Sequence, residues 1–124
     1  MIYGIGTDIT DVRRFAKWIA SPSMIARFYN EHEMQVSGSQ SSLCQHYAVR
    51  FAAKEAFSKA LGTGISGFEL KDVYIEKNSE GKPLLKTEGS AAAALESVCG
   101  KNARVHVSLS HEKEVAVAFV VIEV

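Results

Sequence analysis

Two acidic side chains are the first residues in this chain whose setting suggests chemistry. Asp8 follows an otherwise apolar opening, MIYGIGT, where a carboxylate adds nothing to a core. Glu55 lies in RFAAKEAFSKALGTG, residues 50–64, a segment rich in small residues that also carries Lys54 and Lys59. At about 100° per residue on a helix, Glu55 points away from the stripe formed by Val49, Ala53 and Phe57. Its neighbours there are Ala48, Phe51, Ala52 and Lys59, so that face is not uniformly polar as a solvated face would be. Taken singly, Glu55 and Lys59 at i,i+4 make an ordinary exposed pair worth about 0.2–0.5 kcal/mol, and Asp8 makes an ordinary turn or cap. Together, the two carboxylates supply the number of hard oxygens that Mg²⁺ usually takes from protein when phosphates and water complete its shell. A cation would also offset the repulsion between them.

A third candidate is HVSLSHEKE, residues 106–114. On a strand, His106, Ser108 and Ser110 face one way and Val105, Val107 and Leu109 face the core, with His111 at the strand end. A Ser/His hydrolase is disfavoured: there is no G-x-S-x-G elbow, and adjacent strand residues point to opposite faces. Hydroxyls and an imidazole at a strand end suit phosphate binding better. NSEGKP, which contains Lys82 and Pro83, is turn chemistry, and GTGISG matches neither phosphate-loop fingerprint.

The elements that must position these residues follow from periodicity. Residues 2–9 read as a strand in which Gly4 and Gly6 permit a close backbone approach. DVRRFAKWIA reads as a helix capped by Asp11, and SMIARFYNEHEMQV as a second helix broken near Asn30. SGSQSS, residues 37–42, reads as loop. A long helix is expected from about Leu43 to Leu61, with Val49, Ala53, Ala56, Phe57 and Ala60 on its apolar stripe and Gly62-Thr63-Gly64 ending it. LKDVYIEKNSEGKPLLKT reads as a hairpin turned by residues 78–83, and SAAAALESV as a short helix closed by Gly100. Two strands, ARVHVSLS and EVAVAFVVIEV, complete the chain. The order β-α-α-α-β-β-α-β-β predicts a single α+β domain over residues 1–124, a mostly antiparallel sheet packed against one long helix.

Bulk properties narrow the function classes. The chain has 124 residues, and its 14 Lys and Arg balance its 14 Asp and Glu, which argues against a general nucleic-acid binder. Charge is uneven: Arg13, Arg14, Lys17 and Arg27 cluster, whereas residues 28–49 contain no Lys or Arg. Cys44 and Cys99 fit no metal or redox spacing, as expected of a reduced cytoplasmic protein. The N-terminus lacks the basic and apolar regions of a signal peptide, and VAVAFVVI is too short to span a bilayer, so no membrane association is expected.

GIGTDITDVRRF, RFAAKEAFSKALGTGI, GKP and HVSLSHEKEVAVAFVVIE together resemble the signature blocks of the holo-acyl-carrier-protein synthases, the small bacterial class of 4′-phosphopantetheinyl transferases. The resemblance runs the length of the chain. It implies transfer of 4′-phosphopantetheine from coenzyme A to a serine of apo acyl carrier protein, releasing adenosine 3′,5′-bisphosphate, in fatty acid biosynthesis. It implies Mg²⁺ as cofactor, held by Asp8 and Glu55, with Glu55 or a metal-bound water as base. Lys59 and His111, with Ser110, are implied to meet phosphate oxygens. Arg50, Gly62, Thr63 and Gly64 are implied to line the nucleotide site. A homotrimer with active sites between protomers is implied, in which Lys82 and Pro83 reach a neighbour's adenine pocket. Arg13, Arg14 and Lys17 are implied to meet the acidic carrier-protein helix. The chain departs from the family pattern in two places: SGSQSSLCQHY has no basic residue ahead of the long helix, and Asp11 stands where glutamate is usual. Two other readings of the same residues are a Mg²⁺-dependent nucleotide phosphohydrolase and a non-enzymatic oligomeric binding module.

Overall fold

A computed structural model describes residues 1–35, 37–64 and 67–124. Val36, at the end of the expected second helix, and Ile65 and Ser66 of GTGISG lie outside the described residues. The architecture is α+β, as expected, but its strands form two antiparallel sheets rather than one. The larger has the order β1 (Ile2–Asp11), β5 (Val115–Glu123), β4 (Arg104–His111); the smaller is the hairpin β2 (Val73–Lys77) and β3 (Pro83–Thr87). Asn78 turns that hairpin by accepting the backbone N–H groups of Glu80 and Lys82 on its Oδ1.

The long helix, α3 in chain order, spans Gln40–Leu61. It begins three residues earlier than periodicity suggests, because Ser39 accepts the Ser42 N–H on its hydroxyl and so caps what reads as loop. It ends on Gly62 at φ 87°, a left-handed conformation that favours glycine. The expected stripe of Val49, Ala53, Ala56, Phe57 and Ala60 is buried. Lys54 and Ser58 are buried as well, so the helix is covered on more than one side.

Before α3, the segment after Asp11 is not one helix. β1 runs on to Asp11, which caps a 3₁₀ turn at Val12–Arg14, and α1 is only Phe15–Ile19. Then α2 (Pro22–Phe28) stops just before Asn30, as expected, and a second 3₁₀ turn follows at Glu31–Glu33. The remaining helix, α4 (Gly89–Cys99), ends on Gly100. Among the described residues no helix is long and apolar enough to cross a membrane.

Strand alternation gives the larger sheet two unlike faces. Gly4, Gly6 and Asp8 lie on the face that α3 covers, in rows with Ile122 and Val105, Val120 and Val107, and Ala118 and Leu109. A Cβ on Gly6 would sit 2.0 Å from the Ala56 carbonyl oxygen, and one on Gly4 2.1 Å from that of Ala60. The glycines therefore let the helix backbone rest on the strand, which brings Asp8 beside the same helix two residues further on. The opposite face is uncovered. Ile5, Ile9 and Phe119 are 60%, 70% and 44% exposed there, beside Tyr3 and Val115.

Candidate active site

The two carboxylates singled out from sequence lie on neighbouring elements. Asp8, on β1, is near enough to Glu55, on α3, for its charge to act on the Glu55 carboxyl. Burial raises the pKa of the Glu55 carboxyl, the Asp8 carboxylate raises it further, and Lys59 and Arg14 pull it back. Lys59 does not close the i,i+4 pair with Glu55. Its ammonium donates instead to the Thr7 carbonyl at 2.9 Å and to Asp8 Oδ1 at 3.3 Å. Among the described residues no donor reaches the Glu55 carboxylate. A half-buried acid without a donor, beside a second acid, is a donor set suited to a hard divalent cation, and the pair fits Mg²⁺.

An aromatic wall adjoins this edge. Trp18, Phe28 and Phe51 pack with centroids 4.9–6.5 Å apart, and the Arg14 guanidinium lies over Phe15, Trp18 and Phe51 at 5.5–6.0 Å. A cleft of about 430 Å³ runs from Trp18, Phe28 and Phe51 past Glu55 to Phe68. Arg14 is thus held over apolar rings at the side of the carboxylates, and Lys17 is exposed on α1. Arg13 is differently placed: it pairs with Asp11 at 2.8 Å and reaches Glu114 at 3.6 Å, so two acids already compensate its charge.

A second, separate site lies toward the other end of α3. Arg50, His111 and Pro83 share a cavity of about 360 Å³ with His46, Lys77 and Gln45. No carboxylate among the described residues lines it. The Nε of Arg50 is buried with no hydrogen-bond partner, and burial lowers the pKa of this guanidinium. Arginine stays protonated in proteins nonetheless, so a cation that donates from Nη1 to the His46 carbonyl at 3.2 Å, and has no carboxylate partner among the described residues, faces the cavity. His46 donates its Nε2 proton to the Glu33 carbonyl; burial and the Arg50 charge draw its pKa down to about 4, leaving it neutral at neutral pH. Sequence reasoning passed over His46 and Lys77. The available signal was spacing: His46 precedes Arg50 by one helical turn, and Lys77 opens the turn that ends at Pro83.

Other expected residues stand apart from Arg50 and His111. Gly62, Thr63 and Gly64 are exposed at the end of α3, twelve residues beyond Arg50 and about 18 Å along the axis, so one chain does not put them on one nucleotide moiety. Lys82 is exposed in the hairpin turn, whereas its neighbours Gly81 and Pro83 line the cavity. Ser110 corrects the grouping with His111. It pairs with Val117 in the row of Ile9, on the uncovered face, because successive strand residues point to opposite sides.

The chain as a whole is similar to known proteins. Residues 4–120 match the model of the 4′-phosphopantetheinyl transferase superfamily. A holo-[acyl-carrier-protein] synthase of Treponema denticola is 45% identical over 124 residues, covering 99% of each chain, and one of Clostridium acetobutylicum is 39% identical over 100% of this chain and 99% of its own. The crystal structure of the Bacillus anthracis holo-(acyl-carrier-protein) synthase in complex with CoA (3′,5′-ADP) superposes with a TM-score of 0.79 at 38% identity, over 98% of this chain and 96% of that one. The Neisseria meningitidis synthase superposes with a TM-score of 0.81 at 34% identity, over 99% of both. With its sequence and its fold both matched over nearly their whole length, this chain belongs to the 4′-phosphopantetheinyl transferase superfamily and is an enzyme of the holo-acyl-carrier-protein synthase type.

Proposed function

We propose that this chain, as one transferase domain over residues 1–124, moves 4′-phosphopantetheine from coenzyme A to a serine of apo acyl carrier protein and releases adenosine 3′,5′-bisphosphate. The observation that carries the proposal is Asp8, reached by Lys59 at 3.3 Å, beside a Glu55 one turn away on the same helix that no donor among the described residues neutralises. Phosphoryl transfer depends on positioning and charge neutralisation more than on covalent help. The carrier serine hydroxyl attacks the phosphorus that bears pantetheine. The bridging P–O bond breaks, and its electrons leave on the adenosine bisphosphate.

Asp8 and Glu55 would hold Mg²⁺. The ion, when bound, supplies positive charge at the pyrophosphate oxygens. Glu55, itself or through a water, takes the serine proton. Lys59 orients Asp8 and adds a second positive charge. Arg50, His111, Lys77 and Pro83 form the acid-free cavity for the nucleotide end. Arg14 and Lys17 are the cations left to meet an acidic carrier helix, Arg13 being compensated; such charges speed encounter and make it salt-dependent.

We read the working form as a homotrimer with active sites between protomers, serving fatty acid biosynthesis in the cytoplasm. Two features support assembly. The carboxylate edge and the cationic cavity share no lining residue within one chain, so a neighbour's cavity can complete the edge. The exposed Ile5, Ile9 and Phe119 form a sheet face that a second copy would cover.

Mass spectrometry of apo carrier protein incubated with the enzyme, coenzyme A and Mg²⁺ tests the reading. One added phosphopantetheine per carrier is expected. No addition with active controls would remove the transferase reading. Phosphate release without carrier would favour a nucleotide phosphohydrolase, and coenzyme A binding without turnover a binding module.

A further inference from the structure

The most completely buried charges in the chain take no part in the chemistry described above. Lys54 is 0% and Glu33 1% exposed, and they pair at 2.6 Å between the ammonium and Oε1. All three ammonium protons and both carboxylate oxygens are engaged. Lys54 also donates to the Leu70 carbonyl at 3.2 Å and to the Val73 carbonyl. Glu33 accepts the Asn30 N–H at 3.1 Å on Oε1 and the Ile75 N–H at 3.0 Å on Oε2. Four segments meet at this node: α3, the Glu31–Glu33 turn, the residues before β2, and β2 itself.

Burying a charge pair is a poor way to add stability, since apolar residues of the same volume often do as well or better. What the node supplies is direction. The base of the hairpin already has apolar anchorage, because Val73, Ile75 and Leu85 pack with Phe57 and Leu61. Apolar contact tolerates sliding; the hydrogen bonds of Lys54 and Glu33 do not. Both walls of the cationic cavity issue from here. Arg50 sits on α3 one turn before Lys54. Beyond Ile75 the hairpin carries Lys77, Gly81 and Pro83 into the cavity. The backbone of Glu33 itself holds His46, a third lining residue, through its carbonyl.

We propose that the Lys54–Glu33 pair is a positioning device that sets the separation of the β2–β3 hairpin from α3, and thereby the affinity of the cavity for the nucleotide end of coenzyme A. It acts through Arg50, His46 and the hairpin and touches no reacting atom. The proposal rests on coenzyme A occupying this cavity.

The test compares wild type with the double variant Glu33→Gln, Lys54→Met, which removes both charges together and avoids a lone buried ion. A positioning role predicts that KM for coenzyme A rises about tenfold or more, while kcat and the KM for carrier protein stay within about twofold. Unchanged KM for coenzyme A in the folded double variant would overturn the proposal, and so would a fall in kcat alone, which would mean the pair acts on Glu55. Should the double variant not fold, Glu33→Asp keeps the charge but retracts it by one methylene, and the same split is expected. Calorimetric titration of coenzyme A without carrier gives the same comparison independently of transfer. A wild type that binds coenzyme A but transfers nothing would fail the transferase reading and leave this one to be decided by affinity alone. A wild type that binds no coenzyme A would overturn both.

Discussion

Helix α3 carries two acid–ammonium clusters five residues apart, and they are built on opposite principles. At Lys54 both charges are buried, all three ammonium protons are donated to Glu33 and backbone carbonyls, and both Glu33 oxygens accept. At Lys59 the ammonium is half exposed and reaches Asp8 at a longer 3.3 Å, and Glu55 beside it has no donor among the described residues. The first cluster is closed, and burial, which lowers the Lys54 pKa, is opposed there by the Glu33 charge. The second leaves two carboxylates near each other, and burial first, then the Asp8 charge, raises the Glu55 pKa. A satisfied cluster can only hold structure together. An unsatisfied one retains a free-energy advantage to be gained when a cation and phosphates arrive.

The contrast can be broken by substitution, most sharply at the open cluster. Asp8→Ala and Glu55→Ala are each expected to lower transfer beyond about a thousandfold while the protein stays folded, since ligands to the charge-neutralising centre are lost. Steady-state transfer with circular dichroism as the control checks this, and near-normal turnover in either variant would dissolve the two-carboxylate site.

The closed cluster should respond in the opposite currency. Lys54→Met alone strands a buried carboxylate and is expected to cost about 3–5 kcal/mol of stability, measured by urea unfolding. A loss below about 1 kcal/mol would mean water already reaches the pair.

Smaller effects sharpen the distinction between the open cluster and the cationic cavity. Arg50→Met removes the guanidinium that faces the cavity and should raise KM for coenzyme A by roughly 10-fold to 100-fold, with kcat little changed, as expected for hydrogen bonds to a charged group. A fall in kcat instead would place Arg50 with the reacting phosphate. Smallest is the pH response of His46. Its folded pKa of about 4 lies below the unfolded value near 6.5, so the stability tied to its neutral form is fully present above about 6.5 and lost as pH falls toward 4. His46→Phe should flatten that loss by about 1–2 kcal/mol, the full linkage being reduced because the ring is only partly buried. Urea midpoints at pH 7 and pH 4.5 measure it.

Much of this was legible in the chain because local rules governed it. The stripe on α3, its glycine stop and the hairpin turn at Asn78 each follow from periodicity or turn chemistry within a few residues. Asp8 and Glu55 stood out because each was a charge in apolar surroundings. The start of α3 was misread because serines serve both loops and caps, and only the Ser39 to Ser42 hydrogen bond distinguishes the two. The split of the strands into two sheets was hidden because alternation fixes which face is buried and says nothing about which strand is the neighbour.

The sequence by itself determined the residue types: two carboxylates without local partners, a glycine pair able to accept a helix backbone, and a basic cluster near residue 14. Tertiary structure alone decided the pairings, because each depends on contacts between residues far apart in the chain. Lys59 turned 51 residues back to Asp8 rather than four to Glu55, and Lys54 found Glu33 across 21 residues. Two lysines on one helix, alike in sequence, thus became a structural rivet and an open site because one was covered by a hairpin and the other was left at the edge of a sheet.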